Sequence, residues 1–115
     1  MIVGIGIDLI EVERVKKALD EHPRFSDRVF TPEEIRYSSG KKNAAQHLAA
    51  RFAAKEAFFK ALGRRVPWTD VGVVNLESGQ PVLEVKNAET MGFSRAHLSL
   101  SHLKSYAQAI VVLEN

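Results

Sequence analysis

Alternating side chains run through residues 2–8 and predict a β-strand, because successive side chains of a strand point to opposite faces. One face carries Val3, Ile5 and Ile7, and the other carries Ile2, Gly4, Gly6 and Asp8. Glycine weakens a strand unless something must approach the backbone closely. The second face is therefore predicted to lie against a packed helix or a ligand, with Asp8 projecting from it.

Two helices are predicted in the first third of the chain. Residues 8–11 have the spacing of a capping box, and an amphipathic stretch follows to about Leu19 before His22-Pro23 ends it. Thr31 is a predicted N-cap, with proline at the first helical position and glutamate at the third as in a capping box, for a short helix over residues 32–37.

A long helix is predicted over residues 44–62, an alanine-rich segment without proline or glycine that ends at Gly63. At about 100° per residue, one stripe of this helix contains Ala45, Leu48, Ala49, Phe52 and Phe59. Glu56 falls within the same stripe and so faces the core. Isolating a carboxylate there costs several kcal/mol unless a cation or hydrogen-bond donors compensate it.

After Gly63 the chain becomes rich in β-branched residues, and strands are predicted over residues 66–76, 81–85, 96–100 and 106–113. Their short polar turns favour antiparallel pairing. The predicted class is α+β, with helices mostly first and a later sheet that the N-terminal strand joins. At 115 residues the chain is predicted to form a single domain, 1–115.

The composition limits the possible metal ligands, cellular location and partners. There is no cysteine, so a metal here must be held by oxygen or imidazole ligands. No apolar run approaches the length of a membrane span, and the N-terminus lacks the pattern of a secretory signal, so a cytoplasmic location is expected. The net charge of +2 suits acidic partners or phosphates but is common among proteins with neither.

Asp8 and Glu56 are the candidate metal ligands. Taken singly, Asp8 reads as a helix N-cap and Glu56 as an i,i+4 ion pair with Lys60 at the edge of the core. Taken together, a strand-end aspartate and a core-facing helical glutamate can converge across a strand–helix interface. Two such carboxylates make the oxygen site that Mg²⁺ uses, completed by water and substrate phosphates.

Two groups of basic residues offer further contacts. Candidate phosphate contacts are Lys42, Arg51, Lys60, Arg64, Arg65, His102 and Lys104, although most such residues are simply solvated. Arg14, Arg24 and Arg28 flank the first helix, with Phe25 among them. This second group is either an exposed surface or a docking surface for an acidic protein.

Three segments together resemble a known family. They are Gly4-Ile5-Gly6-Ile7-Asp8 with Glu11 and Arg14, then Phe30-Thr31-Pro32-Glu33-Glu34, then Arg51-Phe52-Ala53-Ala54-Lys55-Glu56-Ala57-Phe58-Phe59-Lys60-Ala61. The chain resembles the bacterial holo-acyl-carrier-protein synthases of the 4′-phosphopantetheinyl transferase family, and the similarity continues through Gly79-Gln80-Pro81 and residues 97–102. One departure is the loop Gly63-Arg64-Arg65, where the family often has Gly-x-Gly.

The resemblance implies transfer of phosphopantetheine from coenzyme A to a serine of apo acyl carrier protein, for fatty acid biosynthesis. It assigns Mg²⁺ to Asp8 and Glu56, a phosphate contact to Lys60, and catalysis to these three residues. It further implies that Lys42, Arg51, Lys60 and His102 face coenzyme A, and that Arg14, Arg24, Phe25 and Arg28 receive the carrier protein. Short family members form homotrimers with active sites between subunits, and the same 4′-phosphopantetheinyl transferase fold is expected here.

Two other functions compete with this one. A magnesium-dependent nucleotide or phosphodiester hydrolase would use the same carboxylates with water as the nucleophile. A basic nucleic-acid-binding module would need aromatic residues interleaved with arginines on a sheet face, and the late strands offer only Phe93 and Tyr106 nearby. Neither nucleic acid nor a membrane is expected as a partner.

Overall fold

The computed structural model describes residues 1–115 and contains five strands and four α-helices. The strands are β1 Ile2–Glu11, β2 Val71–Asn75, β3 Pro81–Val85, β4 Arg95–His102 and β5 Tyr106–Glu114. The helices are α1 Val12–Glu21, α2 Phe25–Val29, α3 Pro32–Ser38 and α4 Ala44–Leu62, with short 3-10 turns at Trp68–Asp70 and Ala88–Thr90. The predicted α+β class is confirmed.

The strands form two antiparallel sheets. In the larger sheet β5 lies between β1 and β4, and in the smaller one β2 pairs with β3. Helix α4 packs across the larger sheet and is enclosed by α1, α3 and β2 on its other sides. Buried residues therefore occur all around α4, so the single apolar stripe predicted for it is too narrow.

The prediction that a helix packs on the glycine face of β1 is confirmed. A Cβ atom added to Gly4 would lie 1.9 Å from the carbonyl oxygen of Ala61, and one added to Gly6 would lie 1.9 Å from that of Ala57. Any side chain at either position would clash with helix backbone, which cannot move aside as a flexible side chain can. This backbone contact places the end of β1 beside the second half of α4.

The boundary between β1 and α1 differs from the prediction. The strand continues to Glu11, and Asp8 pairs with Ala109 of β5 instead of starting a helix. Glu11 occupies the N-cap position of α1 and makes no side-chain capping bond. The capping box predicted over residues 8–11 is therefore wrong, and with it the interpretation of Asp8 as an N-cap.

The capping box at α3 is confirmed. The Thr31 hydroxyl accepts a hydrogen bond from the Glu34 amide, and the Glu34 carboxylate accepts one from the Thr31 amide. Two other elements depart from the prediction. Helix α2 was not predicted, and the strand predicted over residues 66–76 begins only at Val71, after the first 3-10 turn.

The outer face of the larger sheet is apolar and exposed along β1, whereas its β4 side carries polar residues. Ile5, Ile7 and Leu9 of β1 have 63%, 52% and 60% of their surface exposed, and Ile110 of β5 lies on the same face. A contiguous apolar surface of this kind marks a site of interaction.

None of the helices combines the length and the apolar composition that crossing a lipid bilayer requires.

Candidate active site

Asp8 and Glu56 line one cavity of about 410 Å³ between β1, α1 and α4. The close packing of β1 on α4 brings them there, as the sequence predicted. Their side chains are 17% and 18% exposed. Most of the remaining wall is apolar, and the cavity is completed by Leu9, Ile10, Arg14, Val15, Ala18, Phe25 and Phe52. Two acidic groups thus face a cavity with few other polar groups.

Each carboxylate is paired with its own cation. The Lys60 ammonium donates to the carbonyl oxygen of Ile7 at 2.8 Å and to the Asp8 carboxylate at 3.4 Å. One guanidinium nitrogen of Arg65 lies 3.2 Å and 3.3 Å from the two Glu56 carboxylate oxygens. The predicted pairing of Glu56 with Lys60 is therefore wrong, because Lys60 reaches across to β1 instead.

The two carboxylates also interact electrostatically. Burial raises the pKa of Asp8, the hydrogen bond and charge of Lys60 oppose that rise, and the negative charge of Glu56 adds to it. A cation placed between the two carboxylates would relieve both the desolvation and the repulsion. The site is thus suited to a positive ion.

The donor set fits Mg²⁺ bound together with a substrate. No group of three or more histidine, aspartate or glutamate side chains gathers anywhere in the chain. Mg²⁺ is commonly held by one or two carboxylates, with water and substrate phosphates at its other positions. Asp8 and Glu56 match that arrangement, whereas a structural metal would need more protein ligands.

The four residues predicted to receive a partner lie around Phe25. Arg14 and Phe25 line the cavity of Asp8 and Glu56. Phe25 also lines a neighbouring cavity of about 410 Å³, with Arg24, Arg28, His22 and Pro23. Phe25 lines both cavities, so the basic group lies directly beside the carboxylate cavity.

Three of the four predicted coenzyme A contacts lie elsewhere, and only Lys60 is next to Asp8. Lys42, Arg51 and His102 line neither of these two cavities. Arg51 is buried and donates to the Asn75 side chain at 2.6 Å and to the His47 carbonyl oxygen at 3.3 Å. Its Nε atom has no hydrogen-bond partner in the chain. One copy of the chain therefore does not bring these residues to Asp8 and Glu56.

A cluster of basic and aromatic groups surrounds Arg51, and the sequence reasoning missed part of it. The Arg51 guanidinium lies 4.3 Å and the Lys41 ammonium 4.5 Å from the centre of the Tyr37 ring. The His47 ring packs against Tyr37 at 5.6 Å and against His102 at 5.7 Å. Burial, with the charges of Arg51, His102 and Lys41, lowers the pKa of His47.

A buried ion pair behind the site was also missed. The Lys55 ammonium lies 2.7 Å from the Glu34 carboxylate, and neither side chain is exposed. Burial lowers the pKa of Lys55, and the charge of Glu34 opposes that change. The sequence did contain a signal for this ion pair, because a lysine within the alanine-rich, buried part of α4 needs a partner. Its position next to Glu56 fixes the segment that carries the candidate ligand.

Comparison with known proteins defines the class of this fold and site. Residues 4–111 match the 4′-phosphopantetheinyl transferase superfamily. A holo-[acyl-carrier-protein] synthase of Geobacter sp. strain M21 is 46% identical, with 99% of each chain covered. The chain therefore belongs to the holo-[acyl-carrier-protein] synthase family.

Solved structures agree over the whole chain. A holo-(acyl-carrier-protein) synthase from Bacillus anthracis in complex with CoA (3′,5′-ADP) is 42% identical, with a TM-score of 0.87 over 99% of this chain and 97% of that one. The synthase from Neisseria meningitidis is 33% identical, with a TM-score of 0.89 over 100% of both chains. The predicted fold and family are confirmed.

Proposed function

We propose that this chain transfers the 4′-phosphopantetheine group of coenzyme A to a serine of apo acyl carrier protein, as a step of fatty acid biosynthesis. The observation that carries the proposal is the convergence of Asp8 and Glu56 in one cavity that Arg14 and Phe25 also line. The proposed phosphate-binding centre and the proposed docking surface would thus meet at one place. The full-length similarity to holo-[acyl-carrier-protein] synthases supports this assignment.

In the proposed reaction the serine oxygen of the carrier protein bonds to the phosphorus that bears the pantetheine arm. The pyrophosphate P–O bond breaks, and adenosine 3′,5′-bisphosphate leaves with the bonding electrons. Mg²⁺ held by Asp8 and Glu56 would neutralise charge on the pyrophosphate. Lys60 binds a phosphate oxygen, and Glu56 accepts the serine proton directly or through water. The nucleophile belongs to the partner, which agrees with the lack of an activated serine or cysteine in this chain.

We further propose that the active enzyme is a homotrimer with active sites between subunits. Two observations support this assembly. The β1 side of the outer face of the larger sheet is apolar and exposed, which suits burial against another copy. Lys42, Arg51 and His102 lie away from Asp8 and Glu56 within one chain. A neighbouring subunit would therefore supply these coenzyme A contacts.

Light scattering at micromolar concentration should give three times the monomer mass.

Hydrolysis and nucleic-acid binding fit the structure less well. A hydrolase with water as its nucleophile has no use for a basic docking surface that opens into its metal site. On the outer sheet face, Tyr106 is the only Phe, Tyr or Trp residue that shares the face with Arg95 and His97 of β4, whereas single-stranded nucleic acids bind through several stacked aromatic residues. The cytoplasmic location stays a prediction.

One experiment tests the transfer. The protein is incubated with Mg²⁺, coenzyme A and apo acyl carrier protein, and the carrier is weighed by mass spectrometry. We expect a gain of one phosphopantetheine group with the wild type and none with Asp8→Ala or Glu56→Ala. Asp70→Ala removes a carboxylate outside the cavity and serves as the matched control. No gain with folded wild-type protein would refute the transferase assignment.

A further inference from the structure

Arg65 occupies an unusual position for a residue of an exposed loop. Its guanidinium contacts both oxygens of Glu56, and its side chain is 63% exposed while that of Glu56 is 18% exposed. The same guanidinium lies 5.2 Å from the centre of the Phe59 ring and 5.6 Å from that of Trp68. Aromatic contacts and an ion pair thus hold Arg65 against Glu56, one of the residues that line the carboxylate cavity.

The pairing has a direct consequence for metal binding. Lys60 already compensates Asp8, and Arg65 compensates Glu56, so each candidate ligand carries a cation of its own. A metal ion that binds Glu56 must compete with the guanidinium for the same two oxygens. Lys60 can stay near the site through its bond to the Ile7 carbonyl oxygen, whereas the Glu56 carboxylate is the only hydrogen-bond partner of the Arg65 side chain.

We propose, building on the function above, that Arg65 is a displaceable counter-ion of Glu56. In the free enzyme it holds the Glu56 carboxylate and makes binding of a divalent metal alone weak. When coenzyme A brings its phosphates, the guanidinium moves from Glu56 to a phosphate oxygen, and the metal takes the carboxylate. Metal and coenzyme A therefore bind cooperatively.

The chemistry of arginine suits this exchange. A guanidinium pairs with carboxylate and phosphate through the same planar set of donors, so it passes from one to the other without a change of charge. An exposed ion pair contributes little, because water competes for both partners. Arg65 is exposed, so a phosphate can reach it and release the pair, while in the free chain the guanidinium occupies both Glu56 oxygens.

The first test measures metal binding directly, by electron paramagnetic resonance of free Mn²⁺, with and without coenzyme A. Arg65→Gln removes the competing charge. Arg64→Gln removes the same charge from the same loop but no contact with Glu56, which makes it the matched control. Without coenzyme A we expect Arg65→Gln to bind Mn²⁺ about three- to tenfold more tightly than wild type and Arg64→Gln. With coenzyme A the advantage should disappear, after correction for Mn²⁺ bound by coenzyme A itself.

The second test uses the single tryptophan of the chain as a reporter. Arg65 lies over Trp68, so its release should change the Trp68 emission when Mg²⁺ and coenzyme A are added together. Wild type and Arg64→Gln should show this change, and Arg65→Gln should not. If circular dichroism shows that Arg65→Gln is misfolded, Arg65→Met replaces it, because an unbranched apolar stem still covers the rings.

Equal Mn²⁺ affinities of wild type and Arg65→Gln without coenzyme A would overturn the proposal. An affinity advantage that persists unchanged with coenzyme A would overturn it as well, because no exchange would then occur. These outcomes are separate from a failure of the proposed function. If the carrier protein gains mass but the affinities are equal, only the role of Arg65 is wrong. If the carrier gains no mass, the transferase assignment is wrong, whatever the Mn²⁺ affinities show.

Discussion

Replacing Lys55 by methionine should destabilise the fold by about 3–5 kcal/mol, because it leaves a buried carboxylate without its cation. The Lys55 ammonium lies 2.7 Å from the Glu34 carboxylate and donates to the carbonyl oxygens of Val29 at 2.8 Å and Trp68 at 3.2 Å. Methionine has a similar length and fills the same volume, but it donates no hydrogen bond. The change therefore removes interactions and leaves little cavity.

The magnitude comes from three lost contacts. Breaking a fully buried ion pair by removing one partner costs about 3–5 kcal/mol, and each carbonyl oxygen left unpaired costs about 1–3 kcal/mol more in isolation. These terms overlap, and Glu34 keeps its bonds from the amides of Thr31 and Val73. A loss near the middle of the first range is therefore expected.

Urea unfolding followed by circular dichroism measures this loss. The matched control is Lys86→Met, which breaks an exposed pair with Asp70 at 4.0 Å and should cost no more than about 0.5 kcal/mol. The double variant Lys55→Met with Glu34→Gln should recover about 2 kcal/mol relative to the sum of the single changes, because neither charge remains buried alone. A loss below about 1 kcal/mol for Lys55→Met, or additivity of the two changes, would refute this reasoning.

Three further predictions test the fold and the site. Gly6→Ala should destabilise the protein by about 3 kcal/mol or more, because the new Cβ meets backbone of α4, whereas Gly72→Ala, whose Cβ would make only ordinary contacts, should cost under about 1 kcal/mol in the same urea assay. The lowered pKa of His47 means that the unfolded chain takes up a proton first as pH falls below about 6.5, so acid destabilises the fold. His47→Gln should therefore reduce the fall of Tm between about pH 6.5 and about pH 5. An unchanged pH profile would contradict this. Arg14→Glu should raise the carrier concentration at half-maximal rate about tenfold while leaving the KM for coenzyme A unchanged, and an unaltered dependence on carrier would remove Arg14 from the docking surface.

Much of the fold was predictable because its signals are local. The capping box at Thr31 and the long alanine-rich run of α4 both depend on residues close together in sequence. The bare glycine face of β1 likewise predicted close packing of a helix, and that packing explains why Asp8 and Glu56 were found to converge.

The errors arose where distant residues decide the structure. Asp8 has a good N-cap sequence, but pairing of β1 with β5 extends the strand past it. Lys60 has the right spacing for Glu56, but Asp8 and a carbonyl oxygen of β1 attract it more strongly, and Arg65 takes its place. Helix periodicity cannot rank such partners, because they depend on how separate elements pack.

The pairing of β1 with β5 also bears on how fast the chain folds. The amino group of Met1 bonds to the carbonyl oxygen of Asn115, 114 positions away, so the larger sheet joins the two ends of the chain. Such a contact requires closure of nearly the whole polypeptide as a loop, and a high contact order slows folding. Joining the adjacent ends with a short linker and opening the chain at the Gly79 turn would give a circular permutant. In it β5 and β1 would form a local hairpin, and the last contact to close would become one of the first.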